Sequence, residues 1–217
     1  MVGLAAFTAI LSIPEISLPP GPRQAELLYK GWAMTKGLVP YKDFWDNGSP
    51  GVFFIYAMAL KMFGHHYESI NLFDILWRCG TTIAIYMLAE RLFGRREGII
   101  SGVIFAAIAS FIGAKYKLNA LPEGFAILPV VLGFYLYLDE KQGIGWNALS
   151  GICFGIAAIL KLPLFPLIVI ISLYAILAPR HTWEPRPRLS KTLSFLYGVV
   201  VVFSMLIFYL LLSLWRL

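Results

Sequence analysis

The chain has 217 residues, 59% of them hydrophobic and 14% charged, with a formal net charge of +6 and a mean hydropathy of +0.75. A soluble domain carries roughly a quarter charged residues, so this composition excludes an ordinary water-soluble fold and points to a membrane protein. The basic residues fall in short gaps between apolar runs, without the polybasic stripes and interleaved aromatics of a nucleic-acid surface, so nucleic acid is not an expected partner.

A crossing needs about 20 apolar residues to cover a core of about 30 Å. Met1–Leu18 is apolar but contains Pro14 and Glu15, and reads as a shortened first span without the basic leader of a signal peptide. Pro19 to Asn47 is the longest polar stretch. The run from Gly48 to Phe63 is apolar yet covers only ~24 Å as a helix. Ser69–Leu92 is a full span, and Gly98–Ala114 and Gly124–Leu138 are two shorter ones. Trp146–Leu160 and Leu164–Ala178 flank Lys161-Leu162-Pro163; as one helix they would reach ~50 Å, so two spans turning at that tripeptide are expected. Leu193–Leu214 is the last span. Cys79 and Cys153 lie inside apolar runs and read as small packing residues.

Orientation follows from the loops. Arg91, Arg95 and Arg96 form one basic loop, Lys141 lies in a second, and Arg180, Arg186, Arg188 and Lys191 form a third. Pairs of spans separate these loops, so all three share one side, the cytoplasmic one by the positive-inside rule. Lys115, Lys117, Glu123 and Lys161 then fall near the outer surface. The side of Pro19–Asn47 depends on whether Gly48–Phe63 crosses; four basic residues there are nearly balanced by Glu26, Asp43 and Asp46, so charge leaves both options open.

The densest segment is Gly37-Leu-Val-Pro-Tyr-Lys-Asp-Phe-Trp-Asp-Asn-Gly-Ser-Pro-Gly51. With it the chain resembles the polyprenyl-phosphate-sugar-dependent integral-membrane glycosyltransferases, the C-type superfamily of protein mannosyltransferases and aminoarabinose transferases. The resemblance is carried by Gly37, Pro40, Tyr41, Asp43, Ser49, Pro50, Phe63 and Gly64. It continues at Arg78, Leu92-Phe-Gly-Arg-Arg96, Pro122-Glu123 and Gly151…Gly155…Lys161, in the same order over nearly the whole chain.

The resemblance implies an all-α polytopic membrane protein with a single transmembrane domain over residues 1–217. Residues 1–18 would be the first span and 19–68 an outer loop with two surface-lying helices, about Gln24–Lys36 and Val52–Phe63. Residues 69–217 would hold about six further spans, giving about seven in the plasma (inner) membrane. The implied partners are a polyprenyl-phosphate sugar donor and membrane lipids. Two departures stand out. The family's acidic pair at the start of the first loop helix is matched here by Pro22-Arg-Gln-Ala-Glu26, with Glu26 alone and in shifted register. The length also looks like an N-terminal half, which leaves room for another membrane chain to supply the rest.

Sugar transfer from a polyprenyl phosphate expels a phosphate, which leaves without a proton, so one general base for the acceptor hydroxyl is enough. Cationic donors are needed where the phosphate leaves. Glu26 and Asp43 are the candidate bases, with Asp46 beside them. Lys161, Lys115, Lys117 and Arg78 are the candidate cations, and Tyr41 and Glu123 complete the expected substrate-binding set. Each has a plainer reading. Asp43 and Asp46 flank aromatic residues beside a Gly-Ser-Pro turn, where Asp commonly hydrogen-bonds the backbone. Glu26 and Glu123 suit the first turn of a helix. Asp74 and Arg78, four apart, suit a pair on one helix, and Lys161 suits a side chain reaching for the surface. Adjacent His65 and His66 point apart on a helix, and no metal site is expected. Three function classes compete: a membrane glycosyltransferase, a non-catalytic subunit retaining its fold, and a secondary transporter. The last would require an internal repeat that the sequence lacks.

Overall fold

The computed structural model describes residues 1–116, 120–138, 144–177 and 188–215. Among them the chain is all-helical. In order come α1 (Val2–Ser12), α2 (Pro22–Thr35), α3 (Pro50–Phe63), α4 (Glu68–Phe93), α5 (Arg95–Tyr116), α6 (Pro122–Tyr137), α7 (Ile144–Leu160), α8 (Phe165–Leu177) and α9 (Arg188–Trp215). Short 3-10 turns at Ile13–Glu15 and Leu162–Leu164 extend α1 and join α7 to α8. Lys117, Lys141, Arg180 and Arg186 and the side chains of Lys115 and Arg188 lie outside the described residues.

Local chemistry sets the helix ends. Pro22, Pro50 and Pro122 occupy the first turns of α2, α3 and α6, where a missing N–H costs nothing and the fixed φ suits the helix. Gly37 ends α2 at φ +88, with its N–H donating to Met34 O and that of Leu38 to Ala33 O. That left-handed closure satisfies two terminal carbonyls, and a side chain there would be strained.

Hydrogen bonds between helices give their directions. Thr8 Oγ1 meets Thr82 Oγ1 at 3.0 Å, while Asn71 Nδ2 donates to Ile16 O and Leu18 O, so α1 and α4 are antiparallel. Ser12 meets Ser110 at 3.0 Å and Leu4 packs at Gly102, so α1 and α5 run parallel. Trp77 Nε1 donates to Phe125 O, and Arg91 donates to Tyr135 O and Leu138 O, so α4 and α6 run parallel. At the α7–α9 seam, ideal Cβ positions at Gly151 and Gly198 fall 1.9 Å from Phe195 O and Ala148 O, and the one at Gly155 falls 3.0 Å from Val202 Cβ. These two helices run parallel with their backbones in near contact, as small residues allow within a bilayer.

Two helical segments, Glu68–Phe93 and Ser190–Leu211, are long and apolar enough to cross a membrane by length and composition. Val2–Glu15, Pro50–Phe63, Pro122–Tyr137, Gly145–Leu160 and Leu162–Tyr174 are shorter apolar helices.

Helices α2 and α3 cap one end of this bundle. Gly51 packs on Ile159, Phe54 rests edge-on against Tyr209, and the Tyr56 hydroxyl donates to Ala120 O at 2.9 Å. One buried cluster joins Leu27 and Tyr56 of the cap to Ile70 and Phe73 of α4, Phe125 of α6 and Leu160 of α7. Those residues are the starts of α4 and α6 and the end of α7, so α3 lies across helix ends and does not run between helices. A second cluster, with Tyr137, Phe154, Ile168 and Phe195, fills the space among α6, α7, α8 and α9.

Candidate functional site: a charged cap at one end of the bundle

Helix α2 turns its Leu27 and Gly31 side onto α3; a Cβ at Gly31 would fall 2.5 Å from Tyr56 Cβ. That packing sets Arg23, Glu26 and Lys30 along the edge of the cap. Lys30 Nζ donates to Glu26 Oε1 at 2.5 Å and to Asp46 Oδ2, while Arg23 pairs with Glu26 at 3.3 Å. Asp46 is buried and also takes the Gly48 N–H at 2.7 Å, so it both closes the Gly-Ser-Pro turn and ties that turn to α2.

These contacts set the charges. The Lys30 hydrogen bond holds Glu26 below the usual carboxylate value. Burial works against the charge on Asp46, but Lys30 and the Gly48 N–H outweigh it, and its carboxyl is held low as well. Lys30 in turn is raised, the two carboxylates overcoming its burial.

Asp43 is exposed, and its Oδ2 accepts the Val39 N–H at 2.6 Å. Two residues before it, Tyr41 adopts φ +66, an uncommon backbone state for a bulky residue. Its hydroxyl donates to Gly48 O at 2.7 Å, and burial, with Asp46 nearby, pushes the phenol up to about 12.

Lys161 interrupts the path from α7 to α8. Its N–H still donates to Ala157 O, but its extended backbone turns the chain into the Leu162–Leu164 turn. The Leu162 N–H donates to Ser49 Oγ at 2.9 Å, which fastens this turn directly to the start of α3. Lys161 Nζ is ion-paired with Glu123 in the first turn of α6, and both side chains are partly exposed.

Arg78 lies deeper. It donates from two nitrogens to Glu15, at 3.0 Å for Nη1, and pairs with Asp74 at 2.9 Å. Glu15 is 1% exposed, and Arg78 Nε has no hydrogen-bond partner among the described residues. The expected Asp74–Arg78 pair is present, with Glu15 as a third member.

The structure therefore places Tyr41 and Asp43 in the loop between α2 and α3, with Glu26 on α2, and joins the end of that loop to the Lys161 turn through Ser49. Arg78 sits beneath the cap, with carboxylates already on two of its nitrogens. Lys115 is in the last turn of α5. From sequence alone, Lys30 and Arg23 around the loop and Tyr56 below it have no role, Ser49 counts only as part of the resemblance, and Glu15 has no partner. Glu15 did carry a signal, since an acid inside an apolar run requires a nearby partner. A charge at that depth otherwise costs several kcal/mol.

The profile of the dolichyl-phosphate-mannose-protein mannosyltransferase family matches residues 47–211. The match takes in Ser49, Arg78, Glu123 and Lys161, and begins just after Asp46. No curated protein and no solved structure matches the chain. A match over that share of the sequence, on a bundle of apolar helices with a polar cap, is enough to assign it: the chain belongs to the dolichyl-phosphate-mannose-protein mannosyltransferase family, a family of membrane glycosyltransferases.

Proposed function

We propose that the protein transfers a sugar from a polyprenyl-phosphate donor to a hydroxyl acceptor at the outer face of the plasma (inner) membrane. The observation that carries this reading is the Ser49–Leu162 hydrogen bond, which joins the carboxylate-bearing loop to the lysine turn at one end of the bundle. Transfer needs a base for the acceptor and a cation for the leaving phosphate within reach of one sugar. In this reading Lys161 holds the donor phosphate, and Glu26 or Asp43 takes the acceptor's proton. The acceptor oxygen bonds to the sugar's anomeric carbon, the carbon–oxygen bond to phosphate breaks, and polyprenyl phosphate leaves with the electron pair. Lys115 and Lys117 add positive potential, Arg78, already held by Glu15 and Asp74, adds little, and Tyr41 and Glu123 line the approach. The chain crosses the membrane about seven times as one domain, with residues 19–68 outside.

A second reading has its own support. Both candidate bases are already engaged, Glu26 by Lys30 and Asp43 by the Val39 N–H, and the family match begins after them. A non-catalytic membrane subunit that keeps the fold, working with another membrane chain, accounts for that.

The test is transfer by purified protein in lipid nanodiscs, with a polyprenyl-phosphate mannose donor and a hydroxyl-bearing peptide, read by mass spectrometry. Asp43→Asn or Glu26→Gln lowers turnover about 100-fold, as loss of a general base typically does, with donor binding retained. Lys161→Met loses both binding and transfer, and Lys161→Arg restores part of each. Donor binding equal in wild type, Lys161→Met and Lys161→Arg, with no transfer by any of them, supports the subunit reading.

A further inference from the structure

Lys161 is not waiting empty for an anion. Among the described residues its ion-pair partner is Glu123, a carboxylate from a different helix, 38 positions away in the chain. We propose that Glu123 is a resident anion in the donor's phosphate seat: it occupies Lys161 until the phosphate displaces it. This rests on the reading that Lys161 meets the donor phosphate, and it adds how that seat is regulated.

Three observations support it. The pair is reachable, with the Lys161 and Glu123 side chains 32% and 57% exposed, so an anion arriving from the surface meets both. Burial opposes charge at this spot, but Lys161 and, to a smaller extent, Arg23 on α2 act on Glu123 to offset it. Finally, the position of Glu123 is built in. Three residues earlier, Ala120 holds φ +55, a left-handed backbone state that a residue with a Cβ rarely adopts. Its carbonyl accepts the hydroxyl of fully buried Tyr56 from α3, and its N–H donates to Asp74 of α4. Backbone strain of this kind persists only where the surroundings over-determine it. Here two helices grip one residue, and Pro122 then starts α6 with Glu123 facing Lys161. A mere surface pair needs no such clamp.

The charge arithmetic gives the proposal its sign. A phosphate that binds Lys161 must break the lysine–carboxylate pair and then sit beside a displaced carboxylate of like charge. Removing the charge of Glu123 removes both penalties, so binding tightens. If Glu123 instead helps to hold the donor, binding weakens.

The experiment measures binding of farnesyl phosphate to purified full-length chain in nanodiscs. Glu123→Gln binds about 2–5-fold more tightly than wild type at low salt, the range an exposed ion pair contributes. The difference shrinks at high salt as the pair is screened. Glu123→Asp, with a shorter reach, falls between the two. Tyr56→Phe keeps the buried ring, loosens the clamp and shifts affinity in the same direction as Glu123→Gln. Lys161→Met binds weakly, and adding Glu123→Gln to it restores nothing. Equal or weaker binding by Glu123→Gln, with Lys161→Met still weak, overturns the resident-anion proposal and leaves the donor seat standing. Unchanged binding by Lys161→Met removes the seat itself, and the proposal with it.

Discussion

Arg78 faces Glu15 and Asp74 in the interior, one positive charge against two carboxylates. Removing the arginine strands both, and loss of one partner from a buried pair typically costs about 3–5 kcal/mol. Arg78→Met is therefore expected to lower the unfolding temperature sharply in a thermal melt in detergent, whatever its effect on transfer. Half of this network was legible from spacing, because Asp74 and Arg78 are one helical turn apart. Glu15 was not, because its partner is 63 positions away and only tertiary packing brings α1 alongside α4. The same limit hid Lys30 from Asp46 and Lys161 from Glu123. In the loop, the depressed Glu26 carboxyl makes a signed prediction. A base must be ionised, so if Glu26 is the base the acid limb of the rate profile lies below the ordinary glutamate range. Lys30→Met removes the main cause and moves that limb to higher pH. A limb that does not move assigns the base elsewhere, with Asp43 next. Any stability from this pair follows the same sign: it is present above the unfolded glutamate value and fades as pH falls through the folded one.

At the scale of helices, the glycines of the α7–α9 seam determine whether the two backbones can meet. Gly151 and Gly198 each sit against a carbonyl oxygen of the opposing helix, so an added methyl displaces backbone and cannot be relieved by a side chain turning away. Gly151→Ala is expected to destabilise the bundle by about 1–3 kcal/mol, the usual cost of overpacking. Gly145→Ala, where a Cβ meets nothing within 4 Å, is the control that leaves the melt unchanged. In the sequence, Gly151 and Gly155 stood out only as part of the resemblance and Gly198 not at all, since a seam partner carries no local mark. Helix positions were easier. The proline and excess length at Lys161-Leu162-Pro163 located the break that the structure shows as the Leu162–Leu164 turn, because chain stiffness is a local property. The loop helix expected at about Gln24–Lys36 is found at Pro22–Thr35, starting at the proline that suits a first helical position.

At the scale of the whole molecule, helix direction and loop charge make one joint prediction. The packing sets α1, α5, α7 and α9 pointing one way and α4 and α6 the other. The cap of α2 and α3 covers the starts of α4 and α6 and the ends of α7 and α9. Arg91, Arg95 and Arg96 lie at the far end, where α4 turns into α5. If that end is cytoplasmic, as basic loops require, the cap with Lys42, and Lys115 in the last turn of α5, face outward. Single cysteines at Lys42 and Lys115, in a background with Cys79 and Cys153 replaced, should then react with a membrane-impermeant maleimide in intact cells. Cysteines at Arg95 and Arg186 should react only after permeabilisation. The sharpest position is Lys42, because it reports on α3 alone. Were α3 a crossing, Lys42 would be cytoplasmic while Lys115 stayed outside, and the two sites would label oppositely. That result would put Glu26 and Asp43 across the membrane from Lys161, and the Ser49–Leu162 bond with the transfer site built on it would have to be abandoned. Matching labels at Lys42 and Lys115 leave the proposed base and the proposed phosphate seat on one surface, as the proposed transfer from a lipid-borne sugar to an outer hydroxyl demands.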